Sequence, residues 1–353
     1  MKKILLTGGG TTGHVAVNLA LIPTLLKEGW DISYIGSKKG IESELIADYP
    51  EVKYYGIHVG KLRRYLSFEN IKDFFRVFLG LFQALHLIRK IKPDVVFSKG
   101  GYVSVPVVLA SAFHHIPIIS HESDVTPGLA NKISYPFVKK ILASFEETMK
   151  YLPSDKGVFL GPIIRQQIKG GSREEGLKSY GFSGEKPVLL AMGGSLGSKA
   201  INECIWENLD ELLKTYDILH QVGKGKGNPQ YDQKGYVQVE YITAAMKDCL
   251  ALADLIVSRA GANAIYEFLY YQKPMLLIPL DLDQSRGDQI VNATNFTNRN
   301  FAKTLREKDA SKEGFMEKVR ELEKDRENML KAQSSYPFQD TERMIIDSLE
   351  SLL

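Results

Sequence analysis

Residues 5–14 read Leu-Leu-Thr-Gly-Gly-Gly-Thr-Thr-Gly-His, and residues 189–198 read Leu-Leu-Ala-Met-Gly-Gly-Ser-Leu-Gly-Ser. Each stretch begins with an apolar run that predicts a buried parallel strand, passes through a glycine-rich turn and continues into a helical pattern. Glycines at such a turn let backbone N–H groups approach an anion, and the N-terminus of the next helix attracts negative charge. One such turn is weak evidence, but two predict an α/β protein with two Rossmann-like domains facing a central cleft.

The alternation of strand and helix continues around both turns. Strands are predicted at 4–7, 31–35, 52–56, 95–98, 118–121 and 158–160, and helices at 15–28, 68–91 and 105–114. After a hinge at Gly161-Pro162, strands follow at 188–192, 218–222, 237–241, 255–258 and 275–278. This pattern predicts two doubly wound parallel sheets. We expect domains at 1–160 and 161–337, with a helix at 338–353 that packs back on the first domain.

The composition is typical of a globular protein, with 353 residues of which 44% are hydrophobic and 25% charged. A net charge of +3 gives no support to nucleic acid as a partner. Cys204 and Cys249 lack metal or redox spacing, so we expect buried, reduced thiols. The apolar run that follows Met1 stops at Thr7, too early for a secretory signal, and no segment approaches the ~20 apolar residues of a membrane span.

Polar or glycine residues follow several predicted strands, at the edge where α/β folds bind ligands. These segments are 99–102, 121–124, 259–263 and 288–289. Each alone is equally well an ordinary turn, but together they favour a ligand site. Glu267 lies two turns into a helix. Its carboxylate is placed either to accept hydrogen bonds from both hydroxyls of a ribose or to lie in solvent. Arg165 is placed either to reach a diphosphate or to lie on the surface.

The motifs of this chain, taken together and in their order along the sequence, resemble those of the MurG family of peptidoglycan glycosyltransferases. The resemblance covers essentially the whole chain. The family adds N-acetylglucosamine to undecaprenyl-diphospho-N-acetylmuramoyl-pentapeptide (lipid I) to give lipid II. The matching motifs are Gly-Thr-Thr-Gly-His at 10–14, Gly-Gly-Tyr at 100–102, His-Glu-Ser-Asp at 121–124, Gly-Pro-Ile-Ile-Arg at 161–165, Gly-Gly-Ser-Leu-Gly-Ser at 193–198, Ser-Arg-Ala-Gly-Ala at 258–262 and Gly-Asp-Gln at 287–289. The resemblance implies the GT-B architecture of two Rossmann-like domains.

The resemblance also implies which residues bind the two substrates. The donor, UDP-N-acetylglucosamine, is expected at Thr11, Thr12, Gly13, Asp124, Arg165, Ser195, Ile242, Ala262, Asn263, Ala264, Glu267 and Gln289. In this set the backbone of Ile242 meets uracil, Glu267 binds the ribose and Gln289 contacts the sugar. The acceptor is expected at Gly9, Gly10, His14, Gly100, Gly101, Tyr102 and Glu122. Asp124 stands where many members carry asparagine, and Asp288 where some carry glutamine; an ionised aspartate only accepts hydrogen bonds.

The implied reaction inverts the anomeric centre and needs a base for the acceptor hydroxyl. His14 is the first candidate, because a neutral imidazole suits that work near pH 7, and Asp124 is the second. The alternative role for His14 is to bind a phosphate or cap a helix. Helix N-termini, glycine N–H groups and Arg165 can stabilise the leaving diphosphate, so we expect no metal and no cofactor. Asp281-Leu282-Asp283 matches the Asp-x-Asp pattern of a metal-binding motif, but it falls in a variable loop before Gln289 and carries little weight as a metal site.

The predicted helix at 68–91 is unusually rich in large apolar residues with cations beside them. It is either a helix buried between sheet and neighbour or a peripheral membrane face. A polyprenyl-linked acceptor favours the second reading, with Phe74, Phe75, Phe78, Leu79 and Phe82 on the membrane face. We therefore expect a peripheral protein on the cytoplasmic side of the cell membrane, with the anionic membrane surface and other proteins of cell-wall synthesis as partners.

Three other functions stay open on the sequence. Another GT-B glycolipid transferase, such as a diacylglycerol galactosyltransferase, would share the loops. A UDP-N-acetylglucosamine 2-epimerase would share the fold, but its acid and base residues for chemistry at C2 are not recognisable here. A catalytically idle nucleotide-sugar-binding subunit would require a partner for turnover.

Overall fold

The computed structural model describes residues 1–60, 68–194, 196–242, 245–282 and 285–353, with backbone alone for 68–75. The chain forms two compact units. The first comprises Met1–Arg165 together with Gln339–Leu353, and the second comprises Gln166–Phe338. The first boundary lies a few residues after the expected position at 160, and the second lies next to the expected position at 337.

The first unit is built on a seven-stranded parallel sheet. Its strands are β1 (Lys3–Thr7), β2 (Asp31–Ser37), β3 (Lys53–Ile57), β4 (Val95–Ser98), β5 (Ile118–Glu122), β6 (Lys140–Ala143) and β7 (Gly157–Phe159). Its first five helices are α1 (Gly13–Lys27), α2 (Ile41–Ile46), α3 (Phe68–Ile91), α4 (Ser104–Phe113) and α5 (Leu129–Ser134), and a 3-10 turn at Tyr135–Phe137 continues α5. The strand order is β3-β2-β1-β4-β5-β6-β7. The order reverses between β1 and β4, which in such sheets is where ligands bind.

Helices cover both faces of this sheet, which explains the unbroken apolar run of β1. Successive side chains of a strand point to opposite faces. Ile4 and Leu6 accordingly join the core layer beneath α1, whereas Leu5 joins the layer beneath α3 and α4. Burial on both faces holds the carboxyl end of β1, and therefore the first glycine turn, in a fixed place.

The second unit repeats the plan with a six-stranded parallel sheet. Its strands are β8 (Val188–Met192), β9 (Asp217–Gln221), β10 (Tyr236–Val239), β11 (Leu255–Ser258), β12 (Met275–Leu277) and β13 (Lys303–Thr304). Its helices are α6 (Arg173–Tyr180), α7 (Lys199–Glu207), α8 (Leu209–Leu212), α9 (Met246–Leu252), α10 (Ala262–Tyr270), α11 (Asp288–Asn298), α12 (Lys312–Lys324) and α13 (Arg326–Ser334). The order β10-β9-β8-β11-β12-β13 reverses between β8 and β11.

The last helix, α14 (Thr341–Glu350), belongs to the first unit although it follows the second in sequence. Its apolar face enters the core layer beneath α1, where Ile345, Ile346 and Leu349 are fully buried. The Thr341 hydroxyl donates to the Leu160 carbonyl over 3.1 Å at the start of the helix. These contacts tie the end of the chain to the first sheet.

Sequence patterns missed several short elements, among them α2, α5, α8, β6 and β13. Each has six residues or fewer, so it shows too few repeats of a helix or strand period to be recognised. Cys204 and Cys249 are buried free thiols, as expected, and burial raises the pKa of these thiols to about 12 and about 11. Within the described part of the chain, every helix is too short or too polar to span a membrane.

Candidate active site

Two glycine turns of the first unit pack directly against each other. A Cβ at Gly101, where φ is +80°, would lie 2.3 Å from the Gly9 carbonyl oxygen and 3.0 Å from Cδ2 of His14. A Cβ at Gly10 would lie 2.4 Å from a ring carbon of Tyr102. Only glycine fits at these two places. The turn after β1 and the turn after β4 therefore bring Gly9, Gly10, His14, Gly101 and Tyr102 into one constellation.

Glu42, which the sequence reasoning missed, holds the first of these turns. Its side chain is fully buried, and Oε2 accepts from the Gly10 N–H over 3.1 Å. Oε1 accepts from the N–H and the hydroxyl of Ser37 over 2.8 and 2.6 Å. A buried carboxylate with three donors is a strong anchor for a glycine turn. The signal that could have found it is an acidic residue one turn after a predicted strand end.

Glu122 braces the third loop of this unit, the segment that follows β5. This residue is 3% exposed and accepts from the Asp124 N–H (3.2 Å), the Gly128 N–H (3.0 Å) and the Asn131 side-chain amide (2.8 Å). Asn131 also donates to the His121 carbonyl, and its Oδ1 lies against Gly100. Glu122 thus fixes the course of the loop, whereas Asp124 at its tip is partly exposed.

A buried cation lies among these loops. Lys99 is 1% exposed, and burial lowers the pKa of its ammonium, an effect that the carboxylates of Glu122 and Asp124 oppose. Burial and the charge of Lys99 hold the pKa of the His121 imidazole well below its ordinary value. The ring nitrogens of His121 meet no hydrogen-bond partner in the described part of the chain. His121 is therefore neutral at pH 7 and sits next to the positive charge of Lys99.

In the second unit, one side chain joins the glycine turn after β8 to the segment after β10. Gln221, at the end of β9, is 1% exposed. Its Nε2 donates to the Gly194 carbonyl over 3.0 Å, and its Oε1 accepts from the Ile242 N–H over 2.9 Å. The sequence reasoning missed Gln221, although a polar residue that ends a buried strand is the signal for it. The N–H of Ile242 is therefore occupied within the protein, which leaves its carbonyl as the backbone group for the predicted contact with uracil.

Helix α10 begins at the predicted diphosphate site of the second unit. Its first turn contains Ala262, Asn263 and Ala264 directly after Gly261, so its backbone N–H groups lack partners within the helix. These groups carry the positive end of the helix dipole. Glu267 is only 5% exposed on the same helix, which rules out the alternative of a fully solvated helix residue. The same helix thus presents an N-terminus suited to an anion and a buried carboxylate.

Arg259, just before this helix, holds neighbouring segments of the second unit together. Its guanidinium donates to both carboxylate oxygens of Glu307, over 3.1 and 3.2 Å, and to the Ile278 carbonyl over 3.1 Å. The side chain is nearly buried and is therefore committed to the sheet rather than to a ligand. Gln289, on the first turn of α11, accepts from the Leu280 N–H over 3.1 Å and keeps its amide nitrogen as a donor.

Two acidic residues, one before α11 and one at its start, lie in ion pairs. Asp281 pairs with Arg306, which lowers the pKa of the Asp281 carboxyl, and Asp288 lies 3.5 Å from Arg286. Asp283 lies outside the described residues. Across the described ranges, no cluster of three or more His, Cys, Asp or Glu side chains suits a metal ion.

Helix α3 exposes several large apolar side chains to solvent. Its members are Phe78, Leu79 and Phe82, which are 52%, 46% and 56% exposed, and we refer to them as the α3 patch. Ala84 and Ile88 of the same helix are buried against the sheet, so the helix faces both core and solvent. The side chains of Phe74 and Phe75 lie outside the described residues. Phe113, at the end of the neighbouring α4, is 72% exposed.

Family models match both units. The model of the glycosyltransferase family 28 N-terminal domain matches residues 4–143, and that of the family 28 C-terminal domain matches residues 188–349. This chain belongs to glycosyltransferase family 28.

Named relatives within family 28 are similar along nearly their whole length. The UDP-N-acetylglucosamine--N-acetylmuramyl-(pentapeptide) pyrophosphoryl-undecaprenol N-acetylglucosamine transferase of Staphylococcus haemolyticus is 53% identical over 95% of this chain and 95% of its own length. The enzyme of the same name from Staphylococcus aureus is 51% identical over 99% of this chain and 98% of its own. The crystal structure of Acinetobacter baumannii MurG aligns with a TM-score of 0.78 at 23% identity, over 99% of this chain and 100% of that one. That likeness bears out the GT-B fold.

The predicted site residues of this family 28 protein fall into two groups. The first unit gathers Gly9, Gly10, Thr11, Thr12, Gly13, His14, Gly100, Gly101, Tyr102, Glu122 and Asp124 at the carboxyl edge of its sheet, and ends at Arg165. The second unit gathers Ile242, Ala262, Asn263, Ala264, Glu267 and Gln289. Ser195 lies outside the described residues.

Proposed function

We propose that this enzyme transfers N-acetylglucosamine from UDP-N-acetylglucosamine to the 4-hydroxyl of the muramoyl residue of lipid I, giving lipid II. The observation that carries the proposal is identity above 50%, over nearly the full chain, to enzymes named for this transfer. The two sets of loops at the carboxyl edges of the two sheets support it, because the reaction needs one site for the nucleotide sugar and one for the lipid diphosphate.

The second unit binds the donor. The N-terminal amides of α10 meet the diphosphate, and Glu267 accepts hydrogen bonds from the ribose hydroxyls. The carbonyl of Ile242 accepts from the uracil N–H, and the free amide of Gln289 donates to the sugar. Arg165 adds positive charge to the diphosphate. Charge on the departing UDP is therefore stabilised by groups that are already in place.

The first unit binds the acceptor and supplies the base. The 4-hydroxyl oxygen attacks C1 of N-acetylglucosamine while the bond from C1 to the UDP oxygen breaks. The hydroxyl proton passes to the imidazole of His14, and the electron pair of the broken bond leaves with UDP. A single displacement of this kind inverts the anomeric centre. Asp124, at the tip of the loop that Glu122 braces, is the second candidate for the base.

We propose that the enzyme is a peripheral protein on the cytoplasmic side of the cell membrane, and the exposed α3 patch supports this proposal. Exposed aromatic side chains suit the headgroup boundary, and Arg76, Arg89 and Lys90 on the same helix suit anionic lipids. A membrane surface presents the polyprenyl-linked acceptor to the first unit. Other proteins of cell-wall synthesis are further partners in this proposal.

The decisive experiment measures UDP release by the purified chain with and without a lipid I analogue, together with the mass of the product. Acceptor-dependent release and one added N-acetylhexosamine are expected. His14→Ala should lower kcat far more than the KM for the donor, and Asp124→Asn is compared with it to identify the base. Transfer to diacylglycerol, conversion of the donor to its 2-epimer, or donor binding without turnover would each contradict the proposal.

A further inference from the structure

A row of exposed apolar side chains lies on the outer side of α5 and the 3-10 turn that continues it. Its members are Leu129, Ile133 and Phe137, which are 49%, 37% and 43% exposed, and we refer to them as the α5 strip. Leu129 and Ile133, four residues apart, lie on one side of α5, and Phe137 ends the 3-10 turn that follows it. From Leu129 to Phe137 the strip extends about 13 Å, at the rise of an α-helix followed by a 3-10 turn.

The two ends of the strip lie at different parts of the first unit. At one end, Leu129 follows Gly128, whose N–H donates to Glu122 in the loop after β5. The inner side of α5 carries Asn131, which donates to the same carboxylate. At the other end, the 3-10 turn packs against α4, the helix that ends at the exposed Phe113. The strip therefore begins at the predicted acceptor loops. Its other end packs against α4, which carries the exposed Phe113 and packs in turn against α3, the helix of the α3 patch.

We propose that the α5 strip is the track along which the first isoprenoid units of the acceptor leave the acceptor loops. This inference rests on the proposed function, in which the first unit binds the acceptor; the predicted acceptor loops include the loop after β5, which Glu122 braces and which leads into α5. A polyprenyl tail bound there starts next to Leu129 and requires an apolar surface that continues away from the loops. Lys132, one helical turn after Leu129, is exposed on the same helix and adds a positive charge near the start of the strip. A chain laid on the strip removes branched apolar side chains from water, which is favourable in proportion to the area covered.

The inference predicts that the enzyme distinguishes acceptors by chain length through these side chains. The test compares an undecaprenyl acceptor with a ten-carbon analogue, both in the same non-ionic detergent micelles, so that membrane binding does not contribute. In the double variant Leu129→Asn/Ile133→Asn, we expect the KM for the long acceptor to rise about tenfold, as the loss of two apolar contacts implies. The KM for the short acceptor and for UDP-N-acetylglucosamine should stay within about twofold of the parent enzyme.

Two further variants serve as controls. Leu353→Ser removes an equally exposed leucine (53%) from the end of the chain and should change neither KM. Leu129→Met/Ile133→Val keeps the strip apolar and should preserve the preference for the long acceptor.

Other outcomes overturn the inference. An equal rise in KM for both acceptors would mean that the strip only supports the loops. Unchanged kinetics together with weaker binding to vesicles would mean that the strip contacts bulk lipid instead. If the parent enzyme turns over neither acceptor, the proposed function itself fails, which is a different result from loss of chain-length discrimination.

Discussion

At the scale of single residues, buried polar side chains organise each half of the site. Gln221 spans from the Gly194 carbonyl to the Ile242 N–H in the second unit, and Glu42 binds the Gly10 N–H in the first. Neither side chain is accessible enough to bind a substrate directly. Both act by fixing backbone groups that the proposal assigns to ligands.

Replacing Gln221 tests this role in the donor half. Gln221→Glu keeps an acceptor for the Ile242 N–H but sets an oxygen against the Gly194 carbonyl. We expect the KM for UDP-N-acetylglucosamine to rise about tenfold, since a buried hydrogen bond contributes about 1–1.5 kcal/mol. Gln238→Glu is the matched control, because Gln238 bridges the N–H and carbonyl of Asn228 away from the site. Equal KM values for the two variants would contradict the role of Gln221.

Replacing Glu42 tests the acceptor half. Glu42→Gln leaves one oxygen and turns an N–H₂ group toward either Gly10 or Ser37, both of which present donors. Losing a hydrogen bond to a buried charge costs about 1.5–3 kcal/mol, so we expect kcat/KM for the acceptor to fall about tenfold or more. The KM for the donor should not change. Glu44→Gln, an exposed position on the same helix, should behave like the parent enzyme.

His220 makes the stability of the second unit dependent on pH. It is fully buried between the Tyr236 hydroxyl (2.8 Å) and Oδ1 of Asn202 (3.0 Å), and burial lowers its pKa to about 3. The unfolded chain binds a proton near pH 6.5 and the folded chain does not, so the stability from this group is complete above pH 6.5. It declines as the pH falls toward 3, by about 1.4 kcal/mol per pH unit.

The measurement is the free energy of unfolding by urea between pH 7 and pH 4, followed by the fluorescence of Trp206 in the same unit. His220→Gln carries no titrating group and should show a flatter dependence on pH by about 1 kcal/mol per unit. Parallel pH profiles for the parent and the variant would show that His220 is not the group responsible.

At the scale of elements, α14 completes the first unit rather than the second. Ile345 and Leu349 lie in the same core layer as Trp30 and α1, and Arg343 pairs with Glu28. Ile345→Ala should destabilise the first unit by about 2–5 kcal/mol, because it opens a cavity in a fully buried layer. The fluorescence of Trp30 in a variant that lacks Trp206 reports this loss, and the exposed Leu353→Ala is the control. A loss of stability confined to the second unit would contradict this assignment.

At the scale of the whole molecule, helix α3 carries both the exposed α3 patch and basic residues, among them Arg89 and Lys90 in its last turn. Phe78→Ser/Phe82→Ser should lower partition onto anionic vesicles at least tenfold, since burying each phenylalanine contributes about 1.5–3 kcal/mol. The KM for UDP-N-acetylglucosamine should not change. Partition should also weaken with salt, because exposed cations are screened. Phe159→Ser, an exposed aromatic change on β7, is the control; equal partition for both variants would refute the membrane face.

The sequence by itself determined the fold class, whereas the ligand-binding roles that it assigned to single residues stay predictions. Apolar runs, glycine turns and helical periods are local, so β1, α3, β4, β8 and β11 were located to within a residue. The motif residues at the strand ends follow, because parallel strands place their carboxyl ends at one edge. A short element such as β6 is held by its neighbours in the sheet and leaves little local signal.

Only the tertiary structure decided which polar residues are buried and what they hold. Glu42 and Gln221 are ordinary polar residues in the sequence, and their roles depend on partners that are distant along the chain. The same holds for Glu267, whose burial no helical pattern requires, and for Arg259, whose charge is committed to Glu307. A buried polar group must find a partner wherever the fold provides one, so its role is set by packing rather than by local sequence.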